Sequence, residues 1–239
     1  LGVVGIAIGV VLLPDLSRKI RANDTDGGRH AFNRAAEFAL ALTIPAAAAL
    51  FLAAQPLISV LFQRGAFTLI DAQATASALA VYSIGLPAFV IQKVIQPLYF
   101  AREDTKTPFY YAVVSMIINA VIAVGLSYKI GYLSAAIGVT VSAWGMTALL
   151  WSGTRNMGTA AQFDARFFTT IPKIILATAV MSIVIYFTQM YLSQALVTSG
   201  VRYLALSGLV ASGIISYAAA LLGFGAYSLK EIKQFTKRN

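Results

Sequence analysis

Long apolar stretches follow one another along this chain with only short polar breaks, and that alternation decides what it can become. The blocks run over residues 38–62, 72–100, 109–128, 133–152, 171–192 and 203–227, with a shorter one over 1–13. A bilayer's hydrocarbon core takes about 20 apolar residues of helix. In lipid only helices and closed barrels satisfy their own backbone polar groups. Six blocks are long enough to cross and the first is not. The sequence is 59% hydrophobic and 11% charged, against about 25% charged residues in soluble domains. The expectation is an all-α integral membrane protein, a polytopic bundle of six full spans preceded by part of another.

The breaks carry their own signals. Pro14 and the polar stretch 17–29 read as the end of the first block, with Asn23-Asp24 and Gly27-Gly28 as turn residues. Residues 29–37 read as an interfacial lead-in to the next span. Pro45 and Pro56 are expected to bend or end the second block, and Pro87 to kink the long third one, which Asp71 would cap. Residues 102–106 form a tight polar turn, and Pro108 suits the opening of a helix. Residues 154–167 read as a polar connector, 193–202 as a loop and 230–239 as a basic tail. The chain opens directly on Leu1 into an apolar run, without a charged lead, which is not the pattern of a signal peptide. We read it as the C-terminal portion of a larger membrane protein.

Charge gives the orientation. A net charge of +9 would suggest nucleic acid in a soluble protein, but here the basic residues sit in short loops between apolar blocks. Fourteen of the eighteen Lys and Arg residues fall in one alternate set of polar segments: 14–37, 101–108, 153–173 and 228–239. Arg64, Lys129 and Arg202 fall in the other set. The first set, with the C-terminus, is therefore expected in the cytoplasm. Cysteine is absent and His30 is the one histidine, which removes thiol chemistry and most histidine-based metal or relay chemistry. No glycine loop of the phosphate-cradling type and no paired carboxylates within a span are found, so a membrane enzyme is disfavoured and neither metal nor cofactor is expected.

The remaining cation is Lys93, inside the third block. A charge at that depth costs a few kcal/mol and rarely faces lipid. It calls for a wet cavity, an anionic ligand or a paired acid, and acids are scarce in these blocks. The bland alternative is a lysine that reaches back to the interface, but Arg102 lies nine residues on, roughly 13 Å along a helix. Gln92 and Gln96 accompany Lys93, Gln96 at the i+3 spacing that shares a face. Pro97 frees a carbonyl nearby. We expect Lys93, Gln92 and Gln96 to bind substrate. Asn119, mid-span in the fourth block, fits an interhelical hydrogen bond or an ion contact. Gly138 and Ser142 form a small-residue pair that favours close helix packing. Tyrosines near the block ends read as aromatic belts.

Several motifs together resemble one family. They are Gly2-Val3-Val4-Gly5-Ile6-Ala7-Ile8-Gly9 with Leu12-Leu13-Pro14, Asn33-Arg34-Ala35 leading to Pro45-Ala46, and Leu61-Phe62-Gln63-Arg64-Gly65-Ala66-Phe67 with Asp71. The most specific is Gly85-Leu86-Pro87, Lys93-Val94, Pro97 and Tyr99, followed by Ala101-Arg102-Glu103-Asp104-Thr105-Lys106-Thr107-Pro108. They resemble the MurJ/MviN lipid II flippases of the MOP exporter superfamily, clearly over residues 1–108 and by topology beyond. The resemblance implies a fourteen-helix fold with two lobes around a cationic cavity. Residues 1–13 would be half of helix eight, and the six full blocks helices nine to fourteen. It implies a division at about residue 155. Residues 1–155 would belong to the C-terminal lobe. Residues 156–239 would hold the last two helices, a groove for the lipid tail, and the basic tail. It implies carriage of lipid II, an undecaprenyl-pyrophosphate-linked peptidoglycan precursor, across the bacterial cytoplasmic membrane by alternating access. The partners implied are lipid II, membrane lipids and the missing N-terminal lobe, with no nucleic acid. Lys93 matches a family position expected to face the cavity, and Arg102 and Asp104 match a turn with a gating or structural role. Some relatives place a sodium ion where Asn119 and Thr140 would correspond, but Ala123 stands where an acid is expected, which speaks against such a site here. The coupling ion or membrane potential is left open. Another exporter of the superfamily, such as a cation-coupled drug or lipid-linked oligosaccharide transporter, is the alternative.

Overall fold

The computed structural model describes residues 13–22, 24–198 and 200–226. Among them the regular structure is helical. The helices are α1 (residues 13–21), α2 (Thr25–Leu52), α3 (Ala54–Phe62), α4 (Leu69–Phe100), α5 (Lys106–Ile130) and α6 (Leu133–Gly153). Two single 3-10 turns, Thr154–Asn156 and Thr159–Ala161, lead to α7 (Ala165–Tyr191), α8 (Ser193–Val197) and α9 (Arg202–Gly223). Six segments are long and apolar enough to cross a membrane, and they correspond to the six full blocks. The protein is a multi-pass membrane protein. Most of the expected partial span (residues 1–12) and the basic tail lie outside the described residues.

The helix ends differ from the sequence expectations in instructive ways. Pro14 lies in the first described turn of α1, which runs to residue 21, with Asp15 pairing to Arg18 at 2.6 Å and Lys19 at 2.7 Å and with Leu16 fully buried. Those i+3 and i+4 ion pairs hold a turn that lacks apolar periodicity. Gly27 and Gly28 are inside α2, not in a turn. Asp24 caps the helix by accepting the Gly27 N–H at 2.9 Å, and a Cβ on Gly27 would collide with that carboxylate. Residues 29–37 are continuous with the span and not a separate lead-in. The break near Pro56 falls at Ala53, where α2 gives way to α3. Asp71 is not the cap of α4. Thr68 is, its Oγ accepting the Asp71 N–H at 3.3 Å while the Asp71 carboxylate accepts from the Thr68 N–H at 2.9 Å, a reciprocal capping box. The expected loop 193–202 contains the short α8.

The described residues form two packed units. The first comprises residues up to Thr43 with Val81–Phe168. Its interior holds Leu16, Phe32, Ile95, Leu98, Tyr99 and Leu150, all 2% exposed or less. Helices α5 and α6 are its most intimate pair. A Cβ on Gly138 would lie 2.6 Å from the Asn119 side-chain oxygen and 3.0 Å from its backbone oxygen, so only glycine permits this approach. Ser115 donates to the Ser142 carbonyl at 3.0 Å one turn away. The small-residue pair seen in the sequence is thus the α5–α6 seam. The second unit comprises Ile44–Ala80 with the residues from Thr169 on. There Val60 of α3 packs with Met181 and Ile185 of α7, Leu196 of α8, and Ala205, Leu206 and Leu209 of α9. Ala54, Ile58, Ala72 and Ala76 form a smaller α3–α4 cluster.

Candidate functional site

The C-terminal half of α4 presents two distinct faces. One is fastened to α6 by side chains that bond the facing backbone. Gln92 donates to the Ala143 carbonyl at 2.8 Å and to the Thr147 hydroxyl at 3.3 Å. Tyr99 donates to the Leu150 carbonyl at 2.5 Å. From the other side, Thr140 donates to the Val81 carbonyl at 3.0 Å, Trp144 to that of Ile84 at 3.0 Å and Thr147 to that of Ala88 at 3.2 Å. Gln92 is therefore buried and belongs to the helix–helix clamp.

The other face carries Phe89, Lys93, Gln96 and Phe100, spaced four, three and four residues apart, which is one helical stripe. Lys93 is exposed, Phe89 and Phe100 are 39% and 38% exposed, and Gln96 is half-buried on the shoulder of the stripe. The structure thus brings Lys93 and Gln96 together and sets Gln92 about 100° away. The Lys93 ammonium forms no ion pair or hydrogen bond among the described residues. It lies seven residues before the end of α4, roughly 10 Å along the axis. Pro97 has no N–H, so the carbonyl it leaves without a helical partner is that of Lys93 itself. An ammonium and a carbonyl oxygen without its i+4 donor share one turn.

The turn after α4 is closed by backbone hydrogen bonds. Glu103 has φ of 62°, and the Asp104 N–H reaches back to the Tyr99 carbonyl at 3.1 Å while the Glu103 N–H reaches Phe100 at 3.0 Å. This is a Schellman ending with glutamate where glycine is usual. Arg102 is folded onto the protein, donating to the carbonyls of Leu98 and Met157 at 2.8 Å each. Asp104 accepts the Thr107 N–H at 3.0 Å and so caps α5. That bond holds its carboxyl below the usual carboxylate range. Asn119 and Thr140 are not brought together. Asn119 lies over Gly138, its side-chain oxygen buried without a partner, while Thr140, about 200° further round α6, faces α4.

Sequence reasoning missed an ionic cluster in the same unit. Glu37 is 1% exposed on α2 and pairs with Arg34 at 2.6 Å and Arg166 at 3.7 Å. Arg34 also pairs with Asp164 at 2.7 Å. Asn33, fully buried, donates to the Gln162 carbonyl at 2.9 Å and accepts the Asp164 N–H at 3.0 Å. Arg29 donates to the carbonyls of Gln162 at 3.2 Å and Phe163 at 2.5 Å. Phe163 stacks on Phe167 at 3.8 Å and on Trp151 at 4.6 Å. The connector before α7 is thereby locked onto α2. The signal was present as Asn33-Arg34 and Glu37 on one helical side, but nothing in the spacing names Asp164 as their partner. No group of His, Asp or Glu side chains able to hold a metal occurs among the described residues.

Comparison with known proteins gives a consistent result. The family model described as "Lipid II flippase MurJ" matches residues 1–206. A probable lipid II flippase MurJ of Rhizobium meliloti (strain 1021) is 36% identical over all of this chain and 45% of its own length. One from Vibrio cholerae serotype O1 is 35% identical over 99% of this chain and again 45% of its own. A solved structure of lipid II flippase MurJ in an inward closed conformation superposes with a TM-score of 0.73 at 25% identity, covering 92% of this chain and 42% of that one. The chain spans about half the length of the relatives it matches. On fold, motifs and likeness along nearly its whole length, the chain belongs to the lipid II flippase MurJ family.

Proposed function

We propose that this chain forms the C-terminal part of a carrier that moves lipid II across the bacterial cytoplasmic membrane for cell wall synthesis, by alternating access and without covalent chemistry. The observation that carries the reading is the exposed α4 stripe. It offers an unpaired ammonium at Lys93 beside the Gln96 amide and a freed carbonyl, flanked by Phe89 and Phe100. A pyrophosphate-linked lipid supplies the anion such a stripe lacks, and a preformed positive site also raises encounter rates. The stripe then faces a cavity shared with the N-terminal lobe. Gln92 serves by holding α4 against α6. Arg102 and Asp104 keep the cytoplasmic turn rigid. Helices α7 and α9, within residues 156–239, offer apolar surface to the lipid tail; Leu176, Ile183, Leu204 and Ile214 are more than half exposed there. The charge asymmetry supports a cytoplasmic C-terminus.

The test is Lys93→Ala in the full-length protein. Export of lipid II and growth in a strain depleted of its own flippase are expected to fall sharply while membrane insertion is retained. Lys93→Arg keeps the charge and alters its geometry, and is expected to be intermediate. Wild-type export by Lys93→Ala would remove the role given to the stripe.

A further inference from the structure

The second unit contains a cavity of about 660 Å³ that the α4 stripe does not use. It opens where the C-terminal end of α3, the start of α4, the end of α7, α8 and the start of α9 meet. Its polar lining is Gln55, Ser59, Gln63, Gln189, Ser193 and Arg202, and its apolar lining includes Leu69, Met190 and Val197.

The charge of this cavity is uncompensated. Arg202 is the first residue of α9, and its guanidinium lies over the Tyr203 ring at 5.1 Å and donates to the Tyr203 hydroxyl at 3.2 Å. Arg64, just past α3, also acts on that hydroxyl. Asp71 is the one carboxylate among the described residues of this unit, and it is occupied by the Thr68 N–H and hydroxyl at 2.9 and 2.7 Å. Neither arginine forms an ion pair among the described residues. Guanidinium donors at a helix end, long amides that can donate and an apolar wall beside them match a phosphate that carries acyl chains. The position agrees as well. Arg202 opens α9 and Gln63 follows the last residue of α3, and the ends of membrane-spanning helices are where lipid headgroups are met.

We propose that this cavity binds the phosphate headgroup of an anionic phospholipid, with Arg202 as the principal contact and the Leu69, Met190 and Val197 wall against the first carbons of its chains. With the orientation proposed above, the lipid belongs to the outer leaflet. The binding itself does not depend on that orientation, nor on the role given to Lys93.

The full-length protein, purified in detergent, would be titrated with phosphatidylglycerol, phosphatidylcholine and inorganic pyrophosphate, with bound lipid counted by native mass spectrometry. Phosphatidylglycerol is expected to bind and phosphatidylcholine not. Arg202→Gln is expected to weaken phosphatidylglycerol binding about tenfold, as loss of a charge-assisted bond does, with the melting temperature of the lipid-free protein unchanged. Ser59→Trp, which fills the cavity and leaves Arg202 in place, is expected to do the same; Lys93→Ala is expected to bind normally. Equal binding of phosphatidylcholine, or undiminished binding by both cavity variants, would overturn the proposal. Pyrophosphate competing as well as phosphatidylglycerol would assign the site to a free anion and overturn the lipid.

Discussion

Glu37 shows how one residue can fix a neighbourhood. Its carboxylate is shut away from solvent beside Arg34 and Arg166, so deleting it removes the acid that both guanidinium groups share and leaves Arg34 only its bond to Asp164. Losing a charge-assisted bond of this kind costs about 1.5–3 kcal/mol, less than a fully buried pair because the arginines keep water and Asp164. Glu37→Ala is expected to lower the melting temperature of the purified protein clearly, and Asp164→Ala, which removes a half-exposed partner of Arg34, to lower it less. Glu103 is the opposite case. It closes α4 in a left-handed conformation that a side chain disfavours by about 1 kcal/mol, whereas α9 closes the same way on Gly225 with φ of 61°. Glu103→Gly is expected to raise the melting temperature slightly, and a fall would mean that the glutamate side chain has a role of its own. At this scale the sequence makes Lys93 conspicuous, because a cation stands out in an apolar run. It does not separate Gln92 from Gln96. Both are polar and both lie within a turn of Lys93; only the position of α6 decides that one amide is buried and the other is half-exposed.

Between elements, the α5–α6 seam is the most demanding contact. Gly138→Val is expected to cost about 1–3 kcal/mol through overpacking, because the new side chain would meet Asn119, including its backbone oxygen. Gly145→Ala is expected to be tolerated, since its nearest neighbour is the Ile118 methyl at 3.7 Å. A thermal melt of the two variants separates a close seam from general sensitivity to glycine replacement. The cap on α5 gives a pH signature. The Asp104 carboxyl is held low by the Thr107 N–H, so its contribution is complete above the unfolded value of about 3.9 and disappears as pH falls through the lower folded value. Hydrogen exchange at the Thr107 amide is expected to be slow at neutral pH and fast in Asp104→Ala. The existence of these helices is legible from apolar run length alone. Their ends are not, because caps such as Thr68 and Asp24 act through a few local hydrogen bonds, and a proline such as Pro45 or Pro87 can sit inside a helix when its surroundings hold the backbone.

For the molecule as a whole, the distribution of Lys and Arg yields a topology that can be measured directly. The chain has no cysteine, so single cysteines can be introduced without competing thiols from this half. Gly65→Cys and Gly131→Cys, at turns with φ of 58° and 56°, would strain the backbone, so neighbouring Arg64→Cys and Lys129→Cys are the better probes. Both are expected to react with a membrane-impermeant maleimide in intact cells, whereas Asn156→Cys reacts only after permeabilisation; the reverse pattern would invert the orientation. The span count and this alternation of charge were readable without coordinates, since both are sums over many residues. The pairing of distant segments into two units was not, because it depends on contacts such as Asn33 with Gln162 that no periodicity encodes. The turn of α4 at Pro97 has a practical corollary. The oxygen it leaves bare belongs to the main chain, so replacing side chains one at a time deletes the Lys93 amine and never that lone pair. A mutational map of this protein would undercount the polar surface of the α4 stripe unless it also restored the missing hydrogen at position 97.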